Sequence, residues 1–172
     1  MAGRVEGRAE GTPEVLDMTR LYLIRHAHAG DRARWTGDDN LRPLSEKGWA
    51  QARGLVQLLD GQPMDRIVSS PSLRCVQTVQ PLADARSMTL EEDSRLLEGH
   101  DPEDTLGWLE REVASRCLAV CTHGDIVPAV LDLVAERGAE LPSEMRWPKG
   151  STWIVEAESG NWGRATLLPA PT

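Results

Sequence analysis

The chain has no phenylalanine, one tyrosine and only three cysteines among its 172 residues, and it lacks any apolar run near the roughly 20 residues that a membrane-spanning helix needs. That last absence excludes a helical membrane protein. The N-terminal residues also lack the apolar centre of a signal peptide, so a cytoplasmic location is expected. Cys75, Cys117 and Cys121 are odd in number and sit on apolar segments, which argues against a disulfide framework and for reduced, buried thiols. Cys117 and Cys121, four apart on an expected strand, should face the same side. Positive charge is scarce as well: 19 Lys and Arg against 27 Asp and Glu leave a formal net charge of -8. That balance speaks against a nucleic-acid polymer or an anionic membrane as partner, and it directs attention to the few places where basic residues gather. Aromatic bulk comes instead from six tryptophans.

What is there is enough for one ordinary core, since 40% of the residues are apolar and the length suits a single domain. Residues 1–17 mix Gly, Ala, Arg and Glu without periodicity, the pattern of a disordered tail, and the folded unit is expected over 18–172, its first strand beginning just after Met18. From there strand and helix patterns alternate. Strands are expected at Leu21–Arg25, Arg66–Ser69, Thr89–Glu91 and Cys117–Cys121. Helices are expected from the Ser45 cap to about Leu59, over Ser72–Ala83 with a kink or early end at Pro81, from the Asp101 cap through Pro102 to Ala114, and over Asp125–Glu136 with Gly138 closing it. Ser151–Glu156 and Gly163–Leu168 flank Ser159-Gly160-Asn161, a hairpin turn. The fold class is therefore α/β: a three-layer sandwich with a mainly parallel central sheet and an antiparallel C-terminal edge hairpin.

Three strand ends carry chemistry. Arg25-His26 ends the first strand, Ser69-Ser70-Pro71 leads from the second into a helix bearing Arg74, and Thr122-His123-Gly124 ends the fourth. Open α/β sheets place ligands at such carboxyl ends. Two imidazoles and two guanidiniums there suit a phosphoryl group: a phosphate ester repels anionic nucleophiles, so a neutral imidazole is the fitting attacker, and a guanidinium fork matches two phosphate oxygens. His123 can add a hydrogen bond as the chain turns toward a helix N-terminus, which itself favours anions. His26-Ala27-His28 also has the His-x-His form of barrel-shaped metal hydrolases, but the chain is shorter than the roughly 250 residues of such a barrel, and no metal site is assigned.

The segments Leu21-Tyr22-Leu23-Ile24-Arg25-His26-Ala27, Asp39-Asn40-Leu41-Arg42-Pro43-Leu44 with Gly48, Ser69-Ser70-Pro71 through Arg74 and Gln77-Thr78, and Thr122-His123-Gly124 together resemble the histidine phosphatase superfamily, also called phosphoglycerate mutase-like. The likeness is strongest to its small branch typified by the phosphohistidine phosphatase SixA, in which Ala27 in place of the usual glycine is frequent. The resemblance implies a phosphatase that transfers a phosphoryl group to His26 and then to water. It places Arg25, Arg74 and His123 around the phosphoryl group, has a backbone carbonyl hold Nδ1 of His26, and requires no cofactor or metal. For the general acid it points to Glu98 in Leu96-Leu97-Glu98-Gly99, with Asp31 and Asp125 as rivals.

The loop from Ala29 to Arg42 carries Asp31, Arg32, Arg34, Trp35 and Arg42. Asp31, Arg32 and Arg42 are candidate substrate-binding residues, and the loop can grip further phosphates and stack a base, or simply form a charged surface. It resembles the phosphatase domain that follows a Nudix domain in some actinobacterial hydrolases. The expected partner is a phosphorylated small molecule, including a nucleotide or polyphosphate, or a phosphohistidine protein. A phosphate-binding module without turnover, or a phosphomutase, is the alternative, and nothing in the residues fixes an oligomeric state.

Overall fold

A computed structural model of the chain describes residues 18–172; the expected tail, 1–17, lies outside the described residues. The strands are β1 (Met18–Arg25), β2 (Arg66–Ser69), β3 (Leu90–Glu92), β4 (Leu118–Thr122), β5 (Thr152–Glu158) and β6 (Asn161–Leu168). The α-helices are α1 (Glu46–Leu58), α2 (Leu73–Ala85), α3 (Pro102–Val113) and α4 (Ile126–Glu136). One six-stranded sheet runs β3-β2-β4-β1-β5-β6. Its first four strands are parallel, and β5 and β6 are antiparallel.

β1 is buried on both faces, which is why its apolar residues run without alternation. Leu21 and Leu23 pack with α3 and α4, while Tyr22 and Ile24 pack with α1 and α2. The first face also holds Trp108, Trp153 and Trp162, so indoles supply the bulk that phenylalanine would elsewhere. Their polar edges are accommodated: Trp153 donates to the Arg146 carbonyl at 3.0 Å and Trp162 to Glu110 at 3.1 Å. Cys117 and Cys121 face the same core as Cys75, and all three are free thiols.

Local signals act where they were expected. Ser45 caps α1, its hydroxyl accepting from the Gly48 amide at 3.1 Å, and Asp101 caps α3 with Pro102 in the first turn. Each such cap contributes about 1 kcal/mol. Ser159 and Gly160, with φ of 49° and 79°, make the two-residue hairpin turn whose twist suits antiparallel strands.

Several boundaries differ from expectation: β4, β5 and β6 each by one or two residues at an end, and β1, β3 and α2 as follows. β1 begins at Met18, three residues ahead of the expected Leu21, because Met18, Thr19 and Arg20 pair with Glu158, Ala157 and Glu156 at the far end of β5. β3 is shifted by one residue to Leu90–Glu92. α2 passes through Pro81 to Ala85 without ending: the proline gives up one helical bond, to the Gln77 carbonyl, while Val79, Leu82 and Ala83 anchor the same stretch in the core.

Gly48 lies where α1 touches the segment after β1. A Cβ there would stand 1.9 Å from the His28 carbonyl oxygen, a backbone atom that cannot swing aside. Gly48→Ala is therefore expected to cost about 1–3 kcal/mol, read as a lower urea midpoint with an unchanged slope; an unaltered midpoint would show that α1 is not seated against His28.

Candidate active site

Register brings the chemistry to one level. Arg25 pairs with Thr122 and Ser69 with Cys121, so β1, β4 and β2 end side by side. The next residues stay tied: the His26 amide donates to Thr122 at 3.0 Å and the Ser70 amide to Cys121 at 2.9 Å. α1 leaves β1 on one face of the sheet and α4 leaves β4 on the other, which opens the crevice typical of a topological switch point.

Arg25, His26, Arg32, Arg42, Glu98, Asp125 and Lys149 line a cavity of about 230 Å³ there. His26 is buried, and its Nδ1 lies 2.8 Å from the Ala27 carbonyl. A carbonyl only accepts, so Nδ1 carries the proton and Nε2 keeps its lone pair. Burial is the main cause that pushes the ring's pKa down to about 3; the Ala27 carbonyl works against it, and Arg74, His123 and Arg25 add to it. The residues behind the ring explain the Gln77-Thr78 pair. Thr78 accepts the Ala27 amide at 2.9 Å and donates to the Arg74 carbonyl, and Gln77 accepts the Leu44 amide at 2.8 Å.

Arg25 lies flat against Gly124, where a Cβ would come within 2.6 Å of its guanidinium. Its Nη1 donates to the Trp147 carbonyl at 2.9 Å. Arg74 is fully buried; Nη1 donates to the Asp39 carbonyl at 2.8 Å, and Nη2 lies 3.1 Å from the Asp39 carboxylate and 3.5 Å from Glu98. Nε of Arg25 and Nε of Arg74 are buried with no acceptor among the described residues. Buried guanidinium donors without an acceptor are groups that an anion can satisfy.

His123 stands edge-on to His26 with ring centres 5.5 Å apart. Arg74 donates to its Nδ1 at 3.2 Å, so its proton is on Nε2 and goes to the Ser70 hydroxyl at 2.8 Å. In this arrangement it therefore backs Arg74, where the sequence alone allows it a further hydrogen bond to the phosphoryl group.

Glu98 makes two 3.0 Å bonds to Arg32. Asp125 accepts from the Gly99 amide at 2.8 Å, which ties the two acidic loops together. Asp31 is outside this cavity: it accepts from the Ala33 amide at 2.9 Å and faces a neighbouring pocket. His28 is not paired with His26 on a strand, because β1 ends at Arg25 and the His28 ring turns to the Ser45 hydroxyl at 2.6 Å. His100 pairs with Asp104 at 2.6 Å, away from the cavity.

Two contributors escaped the sequence reading. Lys149 reaches the cavity because the Gly150 amide donates to the carbonyls of both Arg25 and His26, at 3.1 and 3.0 Å; burial first, then Arg25, Arg42, Arg32 and Arg74, lower its pKa. A basic residue beside a glycine ahead of a strand was the available signal. Asp39 is the other. Its carboxylate meets Arg42 at 3.0 Å, Arg74 at 3.1 Å and Arg32 at 3.3 Å, and its pKa is lowered by those three partners although desolvation, the largest single influence, opposes them.

Comparison with known proteins gives a family. Residues 21–101 match the model of the histidine phosphatase superfamily (branch 1). The chain is 31% identical over 160 residues to the 8-oxo-(d)GTP phosphatase of Mycolicibacterium smegmatis, covering 91% of this chain and 50% of that protein, so it spans about half the length of that relative. It is 31% identical over 166 residues to the "Probable phosphoglycerate mutase GpmB" of Yersinia pestis, covering 90% and 77%. Its fold is shared with the protein histidine phosphatase SixA complexed with tungstate (TM-score 0.67, 24% identity, 88% of this chain and 95% of that one). It is shared equally with the alpha-ribazole phosphatase of Shigella flexneri (TM-score 0.67, 16% identity, 90% and 96%). The chain belongs to the histidine phosphatase superfamily and has the phosphoglycerate mutase-like fold.

Two expectations follow. A free histidine titrates near 6.5, whereas folded His26 refuses a proton down to about 3. As pH falls through that interval the unfolded chain gains a proton that the folded chain lacks, so stability drops between about 6.5 and 3; chemical denaturation of His26→Ala across that range should show a shallower fall than the parent, and parallel curves would refute the burial effect. Gly124→Ala should shift the Arg25 guanidinium while the flexible side chain absorbs the clash: kcat/KM falling on the order of 10²-fold with the melting midpoint nearly kept. Unchanged turnover would separate Gly124 from Arg25.

Proposed function

We propose that the protein is a metal-independent phosphohydrolase working through a phosphohistidine. The observation that carries this reading is His26, its Nδ1 proton committed to Ala27 and its Nε2 free, in a cavity walled by Arg25, Arg32, Arg42 and Lys149.

Nε2 of His26 attacks phosphorus and the bond to the leaving oxygen breaks, its electron pair going to that oxygen. A carboxyl of Glu98 or Asp125 supplies the proton; Glu98 does so after its pair with Arg32 opens. The imidazole gains positive charge in this step, and the Ala27 carbonyl on Nδ1–H stabilises it. Arg25 and Arg74 neutralise the equatorial oxygens, the role their open Nε donors suit. Water then attacks phosphorus, the N–P bond breaks with its electrons returning to the ring, the carboxylate takes the water's proton, and inorganic phosphate leaves.

The substrate is a phosphorylated small molecule, such as a nucleotide or polyphosphate, or a phosphohistidine protein. The names of the Mycolicibacterium relative and of SixA support these two classes.

Phosphate release is measured with EDTA present from para-nitrophenyl phosphate, nucleotides and a phosphohistidine peptide. His26→Ala should abolish turnover and Arg74→Ala should lower it roughly 10²–10³-fold. Glu98→Gln should slow alkyl phosphates, whose leaving oxygen needs a proton, more than aryl ones. Full activity in His26→Ala ends the reading, and binding without turnover in the folded parent makes the protein a phosphate-binding module.

A further inference from the structure

A second cavity, of about 250 Å³, adjoins the first; Gly30 and Arg42 line both. Each alone is smaller than the roughly 300 Å³ at which small-molecule sites begin, and the two together exceed it. Gly30 stands between them, and a Cβ built on it would meet no atom within 4 Å. The lining differs in kind across it. On the His26 side the walls are charged, whereas on the far side Trp35, Pro43 and Leu44 present apolar surface, with Arg34 at hand.

Trp35 is one of three large apolar side chains left exposed among the described residues, at 38%. Its indole is not loose: Nε1–H donates to the Asp38 carbonyl at 2.9 Å. The turn that carries it is fixed by two aspartate caps, Asp31 to the Ala33 amide and Asp38 to the Asn40 amide, both at 2.9 Å. An indole fixed by its polar edge, over an apolar floor and beside guanidiniums, is the arrangement that stacks a planar ring and tolerates an anionic linker.

We infer that this second cavity is the leaving-group subsite and that it takes a heteroaromatic ring, so that the substrate is a nucleoside polyphosphate whose terminal phosphoryl group reaches His26 while its base stacks on Trp35. This rests on the phosphohydrolase reading and narrows it. A phosphohistidine carries its imidazole bonded directly to phosphorus, with no polyphosphate chain to carry a ring across to Trp35, whereas inorganic tripolyphosphate offers the anionic chain without a ring.

The test compares kcat/KM for GTP and ATP with that for tripolyphosphate and for a phosphohistidine peptide, in the parent, Trp35→Ala and Trp35→Phe. The nucleotide-to-tripolyphosphate ratio should exceed 1 in the parent, fall about 5- to 100-fold in Trp35→Ala, chiefly through KM, and recover largely in Trp35→Phe. A ratio that Trp35→Ala leaves alone, or a preference for the phosphohistidine peptide, overturns the proposal. If nothing is turned over, the hydrolase reading fails by itself, and calorimetry with GTP and tripolyphosphate then decides this one. GTP binding that weakens in Trp35→Ala while tripolyphosphate binding does not supports the subsite; equal binding of the two compounds refutes it.

Discussion

The amide of His26 donates to the carbonyl of Thr122, and the site depends on that bond and the register behind it. It sets the nucleophile against the end of a neighbouring strand that carries His123, and the matching bond from Ser70 to Cys121 adds the turn from which α2 and Arg74 depart. Backbone pairing across three parallel strands thus fixes the positions of groups nearly a hundred residues apart. The side chains need only adjust locally, which they do through Ala27, Thr78 and Gly124.

Gathering Arg25, Arg32, Arg42, Arg74 and Lys149 in a protein of net charge -8 is an electrostatic problem that Asp39 and Glu98 relieve. Between them they contact three of the five cations. These pairs are a mixture of buried and solvent-facing groups. The exposed Arg32 contacts hold weakly and respond to salt. The Arg74 contacts are shielded, and losing one partner there would leave a buried charge uncompensated. In the proposed reaction an incoming phosphoryl group competes with carboxylates that already sit on the guanidiniums, and it does so by offering several oxygens at once.

Much of this was legible in the residues because local chemistry decided it. Leu21-Tyr22-Leu23-Ile24 had to be a strand buried on both faces, Ser45 and Asp101 had to cap helices, and the two histidines had to fall at strand ends. What was hidden depended on partners far along the chain. Met18 joins β1 through β5, a pairing that no local pattern shows. Pro81 reads as a helix end until the packing of Val79 and Leu82 is known. Lys149 belongs to an aperiodic connection and enters the site through its neighbour's amide, while Asp31 leaves it because its carboxylate caps the short turn that follows. The hydrogen bonds of His123 depend on Arg74 and Ser70 together, and neither residue alone implies them.

The connection from Trp147 to Ser151 is stitched to the nucleophile's strand at both ends: Trp147 receives Arg25, and Gly150 and Ser151 bond to the backbone of Arg25 and His26. Those stitches are main-chain bonds or end on main-chain carbonyls, so they are indifferent to most side-chain replacements. Ahead of them, between α4 and Trp147, the chain is tied elsewhere: the Glu140 amide donates to Gly163, the Ala165 amide to Glu140 and the Trp153 indole to Arg146. The place of Lys149 is set by the backbone of Arg25 and His26, so a change of side chain there alters the charge over the cavity and not the frame that holds it.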